Sequence, residues 1–270
     1  MTSSKSINFF TVATGKYKDF IVPYITSVLL YNPDAFVEIL VDDLKCLTTD
    51  IQNLNKLYLG QFKLTQIAHD DMNKIARSGD RWSSLAASLR FVTTPTVLLD
   101  YTYIGDVDIL VLQPNIKDAH ASHMETLGIP FSNMVRKNQR RLTGLHCVRT
   151  KDYYSVLTPK KLLAYKTAFL HKKSKILDEH LLYQTVADNF TIPNAIIEGV
   201  SKSLYRPYHG VHCSPQYKGW YVGNYSKEFF TFMNRAHVQK TFFPVYREWY
   251  VSRLQYTHSV YKGVKNDNGT

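Results

Sequence analysis

Apolar and polar positions along the first 115 residues switch repeatedly between two periods. Ile7–Ala13 (INFFTVA) is a short apolar run rich in aromatic and β-branched residues, which predicts a buried strand. Asp19–Tyr31 follows with apolar residues at helical spacing and stops at Asn32-Pro33, a turn signal. Phe36–Val41 (FVEILV) predicts a second strand, closed by Asp42 and Asp43. Asp50–Leu59 predicts a helix, Phe62–Ile67 a short strand, and Arg81–Val92 (RWSSLAASLRFV) another helix. Val97–Leu99 and Asp106–Leu112 then predict strands. Strands and helices alternating at such short intervals predict βαβ units, and so an α/β fold with a mostly parallel central sheet flanked by helices. Beyond residue 115 the pattern loosens: Leu145–Val148 predicts a strand, and Pro159–Leu170 and Asp178–Ala187 predict helices. From Tyr205 the chain is aromatic, basic and rich in loop residues. No internal repeat or low-complexity linker divides it, so a single domain over residues 1–270 is expected.

Composition narrows this little. Of 270 residues, 44% are hydrophobic and 20% charged, the balance of a folded globular protein with a substantial core. No apolar run approaches the roughly 18 residues of a membrane span, and MTSSKSINFF carries no apolar leader. Cys46, Cys147 and Cys213 fit neither a disulfide framework nor a zinc motif. Together these features predict a soluble protein of a reducing cytoplasm, that of a host cell if the source is viral. The formal net charge of +11 attracts nucleic acid, anionic membrane or phosphorylated ligands. The basic residues are dispersed, with short clusters only at residues 136–141 (RKNQRR) and 171–175 (HKKSK), and no nucleic-acid-binding motif accompanies them. Nineteen tyrosines are the more unusual feature, since tyrosine joins an apolar face to a polar tip and suits amphipathic ligands such as sugars.

The chemistry begins at residues 105–110, GDVDIL, where two aspartates stand one residue apart in an apolar run. Burying a carboxylate is costly unless it is paired or binds a metal. On a regular strand, residues i and i+2 share a face, so Asp106 and Asp108 would form a compact oxygen site for a hard cation such as magnesium or manganese. In open α/β sheets such a place, at the carboxyl ends of strands, is where ligands sit.

The segment Leu99–Ile116, LDYTYIGDVDILVLQPNI, resembles the D-x-D region of glycosyltransferases with the GT-A fold, and family 8 (the glycogenin and galactosyltransferase group) most closely. That resemblance implies a Rossmann-like sheet with a nucleotide-sugar-binding half (residues 7–115), a smaller acceptor-side and metal-closing half (116–220) and a C-terminal extension (221–270). It implies a UDP-sugar donor, an oligosaccharide or glycoconjugate acceptor, and a manganese or magnesium ion held by Asp106 and Asp108. FFTVATGKYKDFIVPYITSVLLYNP is similar to the family's opening strand, nucleotide loop and first helix, which places Thr11, Ala13 and Tyr17 around the base and ribose, with Asp42 and Asp43 near the uridine. SSLAASLRF resembles the family's helix ending in L-R-F and assigns Arg90 to the donor sugar and phosphates, a place suited to a planar, always charged guanidinium. A helix-surface ion pair would explain Arg90 equally well.

RLTGLHCV resembles the entry to the family's N-x-G strand and brings Gly144 to the donor sugar, but Leu142 stands where the family has asparagine. DEHLLYQTV resembles D-Q-x-L-L-N. It assigns Asp178 to the donor sugar and Glu179 or His180 to the acceptor, although first-turn acids also arise simply because the helix dipole favours them. HCSPQYKGW keeps the histidine-to-lysine and lysine-to-tryptophan spacings of H-x-x-G-x-x-K-P-W, with Pro215 for the glycine and Gly219 for the proline. His212 is thereby the third metal ligand, with His209 its rival, and Lys218 the diphosphate clamp. The family retains anomeric configuration; the missing asparagine and the extra acid at Glu179 lean the expectation here to inversion, with Asp178 or Glu179 as base. A metal-dependent nucleotidyltransferase or phosphohydrolase, and a basic nucleic-acid-binding module, are the alternative readings.

Overall fold

The computed structural model describes residues 7–44, 48–79, 82–136, 139–171, 177–197, 209–213, 226–241 and 247. The opening strand β1 (Ile7–Ala13) is buried along its whole length and lies at the centre of a six-stranded sheet. Its side chains alternate as a strand's must: Ile7, Phe9 and Ala13 face one hydrophobic cluster, and Phe10 and Val12 face the other. A strand covered on both faces has no polar side to show, which is why INFFTVA is nearly continuous in apolar residues.

On one side of β1 lie β2 (Phe36–Val41) and then β3 (Phe62–Gln66); on the other lie β4 (Tyr101–Ile104), β7 (His146–Arg149) and β6 (Phe131–Ser132). The pairs β1–β2, β2–β3 and β1–β4 are parallel, whereas β4–β7 and β6–β7 are antiparallel. One strand of the six, β7, therefore runs against the rest, and the expected mostly parallel sheet is present. A separate antiparallel pair joins β5 (Ile109–Val111) to β8 (Gly210–His212).

Helices α1 (Ile21–Tyr31) and α2 (Thr48–Leu57) cover the face of Phe9 and Val37. The opposite face is covered by α4 (Trp82–Val92), α7 (Pro159–His171) and α8 (Asp178–Ala187). The helices α3 (His69–Ala76), α5 (Ile116–Leu127) and α6 (Thr150–Val156) escape the sequence pattern because they are short or carry a mixed face. Among the described residues two further helices, α9 (Ser226–Met233) and α10 (Ala236–Thr241), follow β8, and Phe229, Phe232 and Val238 join the first cluster.

Two expected strands are corrected. Val97–Leu99 is loop, and the strand begins at Tyr101. Val97 instead gives its backbone to a buried carboxylate: Glu38, wholly buried in the middle of β2, accepts from the amides of Thr96 and Val97, the hydroxyls of Thr96 and Thr65, and the side-chain amide of Asn8. Asp106–Leu112 is likewise not one strand. Residues 105–108 form a turn, closed by the Ile109 amide on the Asp106 carbonyl at 3.3 Å, and only Ile109–Val111 is extended.

Candidate functional site

The turn that replaces the expected strand separates the two aspartates instead of aligning them. Its start is fixed by β1: the Thr11 hydroxyl donates to the Gly105 carbonyl at 2.7 Å, and the Gly105 amide to the Phe10 carbonyl at 3.2 Å. Asp106 then turns toward α4, where Arg90 Nη2 meets its Oδ1 at 2.7 Å. Asp108 turns toward β8, where Oδ2 lies 3.2 Å from His212 Nε2. The β5–β8 register sets His212 opposite Ile109, and the Cys213 amide donates to the Asp108 carbonyl, so the imidazole is held at the turn by backbone pairing. Gly210 makes that pairing possible, because a Cβ there would collide with the Leu110 carbonyl oxygen.

Arg90 is the hub of the site. It sits in the last turn of α4 with only 3% of its surface exposed, and Nη1 caps the helix by donating to the Ala87 carbonyl at 2.7 Å. Its Nη2 serves two carboxylates, Asp106 and, at 2.9 Å, Asp178 Oδ2 in the first turn of α8. One buried cation thus joins two elements far apart in sequence. Burial pushes the Asp106 carboxyl above its ordinary range; Asp108 and Asp178 push the same way, while Arg90 and His212 oppose. The centre has more carboxylate than cation.

The neighbouring acid behaves differently. Glu179 Oε1 accepts from the Gly144 amide at 3.1 Å and lies 3.4 Å from Arg136 Nη2, and Oε2 lies 3.1 Å from Arg141 Nε. The two arginines belong to a short hairpin, closed by the Arg136 amide on the Arg141 carbonyl and by a bridge between Val135 and Leu142. Leu142, in the place of the family's asparagine, is fully buried in the second cluster. Asn133, also fully buried, pins the base of this hairpin: its Oδ1 accepts from the Met134 and Thr143 amides and the Thr143 hydroxyl, and its Nδ2 reaches the Thr143 carbonyl. Gly144 meanwhile passes so close to the hub that a Cβ would stand 3.3 Å from both Arg90 Nη2 and Asp106 Oδ2.

The remaining expected residues divide. Tyr17 is half-buried on a 3-10 turn after β1, its ring 6.3 Å from that of Phe20, and burial together with Asp108 and Asp106 raises its phenol. Asp42 anchors that same turn, accepting from the Gly15 amide at 2.9 Å and from Lys18 at 3.0 Å, while Asp43 is exposed beside it. Thr11 and Ala13 are fully buried, Thr11 in the bond to Gly105. Lys218 lies outside the described residues. His209 is apart from the acid pair, 2% exposed, with its ring against Tyr103 and its Nε2 3.3 Å from His120 Nε2. Among the described residues no three His, Cys, Asp or Glu side chains form a ready-made metal cage; Asp108 and His212 adjoin, and Asp106 is engaged by Arg90. Sequence reasoning missed Glu38 and Asn133, whose only signal is a polar residue inside an apolar strand or beside one.

The fold is similar to that of solved glycosyltransferase structures. The apo-form glycosyltransferase GlyE from Streptococcus pneumoniae TIGR4 superposes with a TM-score of 0.50 at 11% identity, over 93% of this chain and 64% of that one. The chain has the GT-A fold. A galactosyltransferase, LgtC, solved in complex with donor and acceptor sugar analogs, matches over 87% of this chain and 99% of its own, with a TM-score of 0.49 and 11% identity. No family model matches the chain, and no curated protein matches it in sequence. No helix among the described residues is long and apolar enough to cross a membrane.

Proposed function

We propose that the protein is a glycosyltransferase that transfers a sugar from a UDP-sugar to a hydroxyl of a glycan or glycoconjugate. The observation that carries this reading is the buried Arg90 hub, which joins the turn after β4 to the start of α8 directly beside the side-chain-free Gly144. On a GT-A fold that is a place where a donor sugar and its phosphates can approach charged groups without a Cβ in the way.

A divalent cation fits the residues present. Asp108 and His212 already adjoin, and Asp106, the third donor that the family resemblance assigns, has one carboxylate oxygen on Arg90 and would bring its other to the ion. When bound, such an ion would supply positive charge to the departing diphosphate. The chain's own groups do the rest. Arg90 keeps Asp106 and Asp178 at fixed positions, so their dipoles and charges are oriented before the donor arrives. Tyr17, on a turn braced by Asp42, would offer its aromatic face to the uracil. Lys218 would meet the diphosphate. Asp178 orients the donor sugar, and Glu179, which engages Arg136, Arg141 and the Gly144 amide at once, positions the strand entry beneath that sugar.

The test is UDP-sugar turnover and UDP binding measured with and without manganese over UDP-glucose, UDP-galactose and UDP-xylose. Stabilisation by UDP that grows with the metal supports the reading. Absence of both UDP binding and sugar turnover overturns it.

A further inference from the structure

The N-terminus of α8 divides the site into two regions of opposite charge. On the Asp178 side, a single guanidinium serves Asp106 and Asp178, with Asp108 close by on His212. On the Glu179 side the count reverses: Arg136 and Arg141 face a single carboxylate, and Arg140, beside them in sequence, is exposed. One arginine would neutralise Glu179. The second and the exposed Arg140 leave an excess of positive charge that no described acid matches. Nor are the guanidiniums used up. Each has five N–H donors, Glu179 contacts one nitrogen of each, and the side chains of Arg136 and Arg141 remain 34% and 23% exposed. The Arg136 Nε is buried and meets no acceptor among the described residues. The described ends that carry Arg136 and Arg141 are held by the backbone bond between these two residues, by Asn133 on Thr143 and by the Leu142 amide on the Glu179 carbonyl at 3.3 Å.

We infer that the Arg136–Arg141 hairpin receives an anionic group, a carboxylate or a phosphate, carried by the sugar acceptor. The inference rests on the glycosyltransferase reading and deepens it by naming the class of acceptor. Paired guanidiniums bind planar carboxylates and phosphates through several charge-assisted hydrogen bonds. The excess cations pair with Glu179, the residue after Asp178 in α8, while Arg90 pairs with Asp178, so they adjoin the donor centre through a different carboxylate. An acceptor whose anion docks on the hairpin would be aimed by it toward that centre.

The experiment compares kcat/KM for three acceptors with the preferred UDP-sugar: a neutral hexoside, its 6-phosphate and the corresponding hexuronide. The anionic acceptors should be preferred by about tenfold or more, the worth of one charge-assisted bond. The phosphate and carboxylate arms show which anion is taken. The preference should shrink as salt rises from about 0.05 M to about 0.5 M, because exposed charges are screened. Arg140→Ala, at an exposed position that bonds no catalytic group, should erode the preference several-fold with the melting temperature unchanged, and Arg136→Gln should erode it further. Turnover that is equal on neutral and anionic acceptors overturns the inference and leaves the glycosyltransferase reading standing. A rise in the KM for UDP-sugar alone in Arg140→Ala also overturns it, assigning the hairpin to the donor's phosphates. Absence of UDP-sugar turnover with every acceptor removes the donor reading and this inference together.

Discussion

The Gly144 amide donates to Glu179 Oε1 at 3.1 Å, which holds the strand entry against the start of α8 and leaves Gly144 facing the Arg90–Asp106 ion pair. The absence of a side chain is as necessary as the hydrogen bond. A methyl group there would stand 3.3 Å from Arg90 Nη2 and from Asp106 Oδ2, closer than ordinary packing allows. Arg90 cannot yield easily, being 3% exposed and committed to three acceptors.

Gly144→Ala is therefore expected to keep the fold and lose function. A displacement of a few tenths of an ångström at the hub should cost turnover roughly tenfold, since small misplacements of positioning groups are expensive in rate. The melting temperature should change little. Steady-state kinetics alongside thermal melts checks this, and undiminished kcat/KM would show that the donor does not use the space beside Gly144.

Glu38 predicts the opposite separation. Its carboxylate is fully buried and satisfied by donors from three separate segments, residue 8, residue 65 and residues 96–97. Glu38→Ala would leave the two loop amides of Thr96 and Val97 without a partner, at about 1–3 kcal/mol for each buried group stranded. We expect a loss of about 3 kcal/mol overall, or a fall in Tm on the order of 10 °C, with UDP affinity unchanged in the protein that remains folded. Chemical denaturation gives the first quantity and calorimetry of UDP binding the second.

The strands of the parallel half were legible because a strand buried on both faces must be apolar, and INFFTVA and FVEILV are. Asp178 and Arg90 were legible as charged residues at helix ends, where a charge is placed by the helix itself. The D-x-D turn was misread as strand because Asp106 and Asp108 share a face only if the backbone between them is extended, and the turn at Val107 is set by β1 through Thr11, far away in sequence. The same holds for Glu38, Asn133 and the convergence of Arg136 and Arg141 on Glu179. Each is a polar group whose partners come from remote segments, so local periodicity carries no trace of the pairing.

The metal assignment separates two histidines. Asp108→Asn and His212→Ala should each remove the manganese dependence of UDP binding, because each deletes one of two adjoining donors. His209→Ala should instead lower stability by about 1–3 kcal/mol, since it removes a buried ring that packs on Tyr103 and contacts His120 Nε2. Titrating UDP with and without manganese, beside thermal melts of all three variants, tells them apart. Manganese dependence lost in His209→Ala and kept in His212→Ala would move the ligand to His209.

The stereochemical outcome turns on what Asp178 and Glu179 can still do. In sequence, the extra acid at Glu179 leans the expectation to inversion, because an inverting enzyme needs a carboxylate base within about 2.6–3.2 Å of the acceptor hydroxyl or one water away. In the fold, Glu179 is engaged by two guanidiniums and an amide, and Asp178 by Arg90. A base must have a lone pair turned to the incoming hydroxyl; both oxygens of Glu179 already face arginines, and Asp178 is held to Arg90 through Oδ2, which leaves only its Oδ1 for that role. We therefore expect the donor's anomeric configuration to be kept in the product, as read by NMR of the newly formed linkage. Glu179→Gln should then lower turnover only several-fold, because the amide oxygen can still accept from Gly144 while the hairpin loosens. A general base would be worth roughly 10²–10⁴-fold. An inverted product together with a loss of that size in Glu179→Gln, at unchanged UDP affinity, would make Glu179 the base and show that its arginines release it when the acceptor binds.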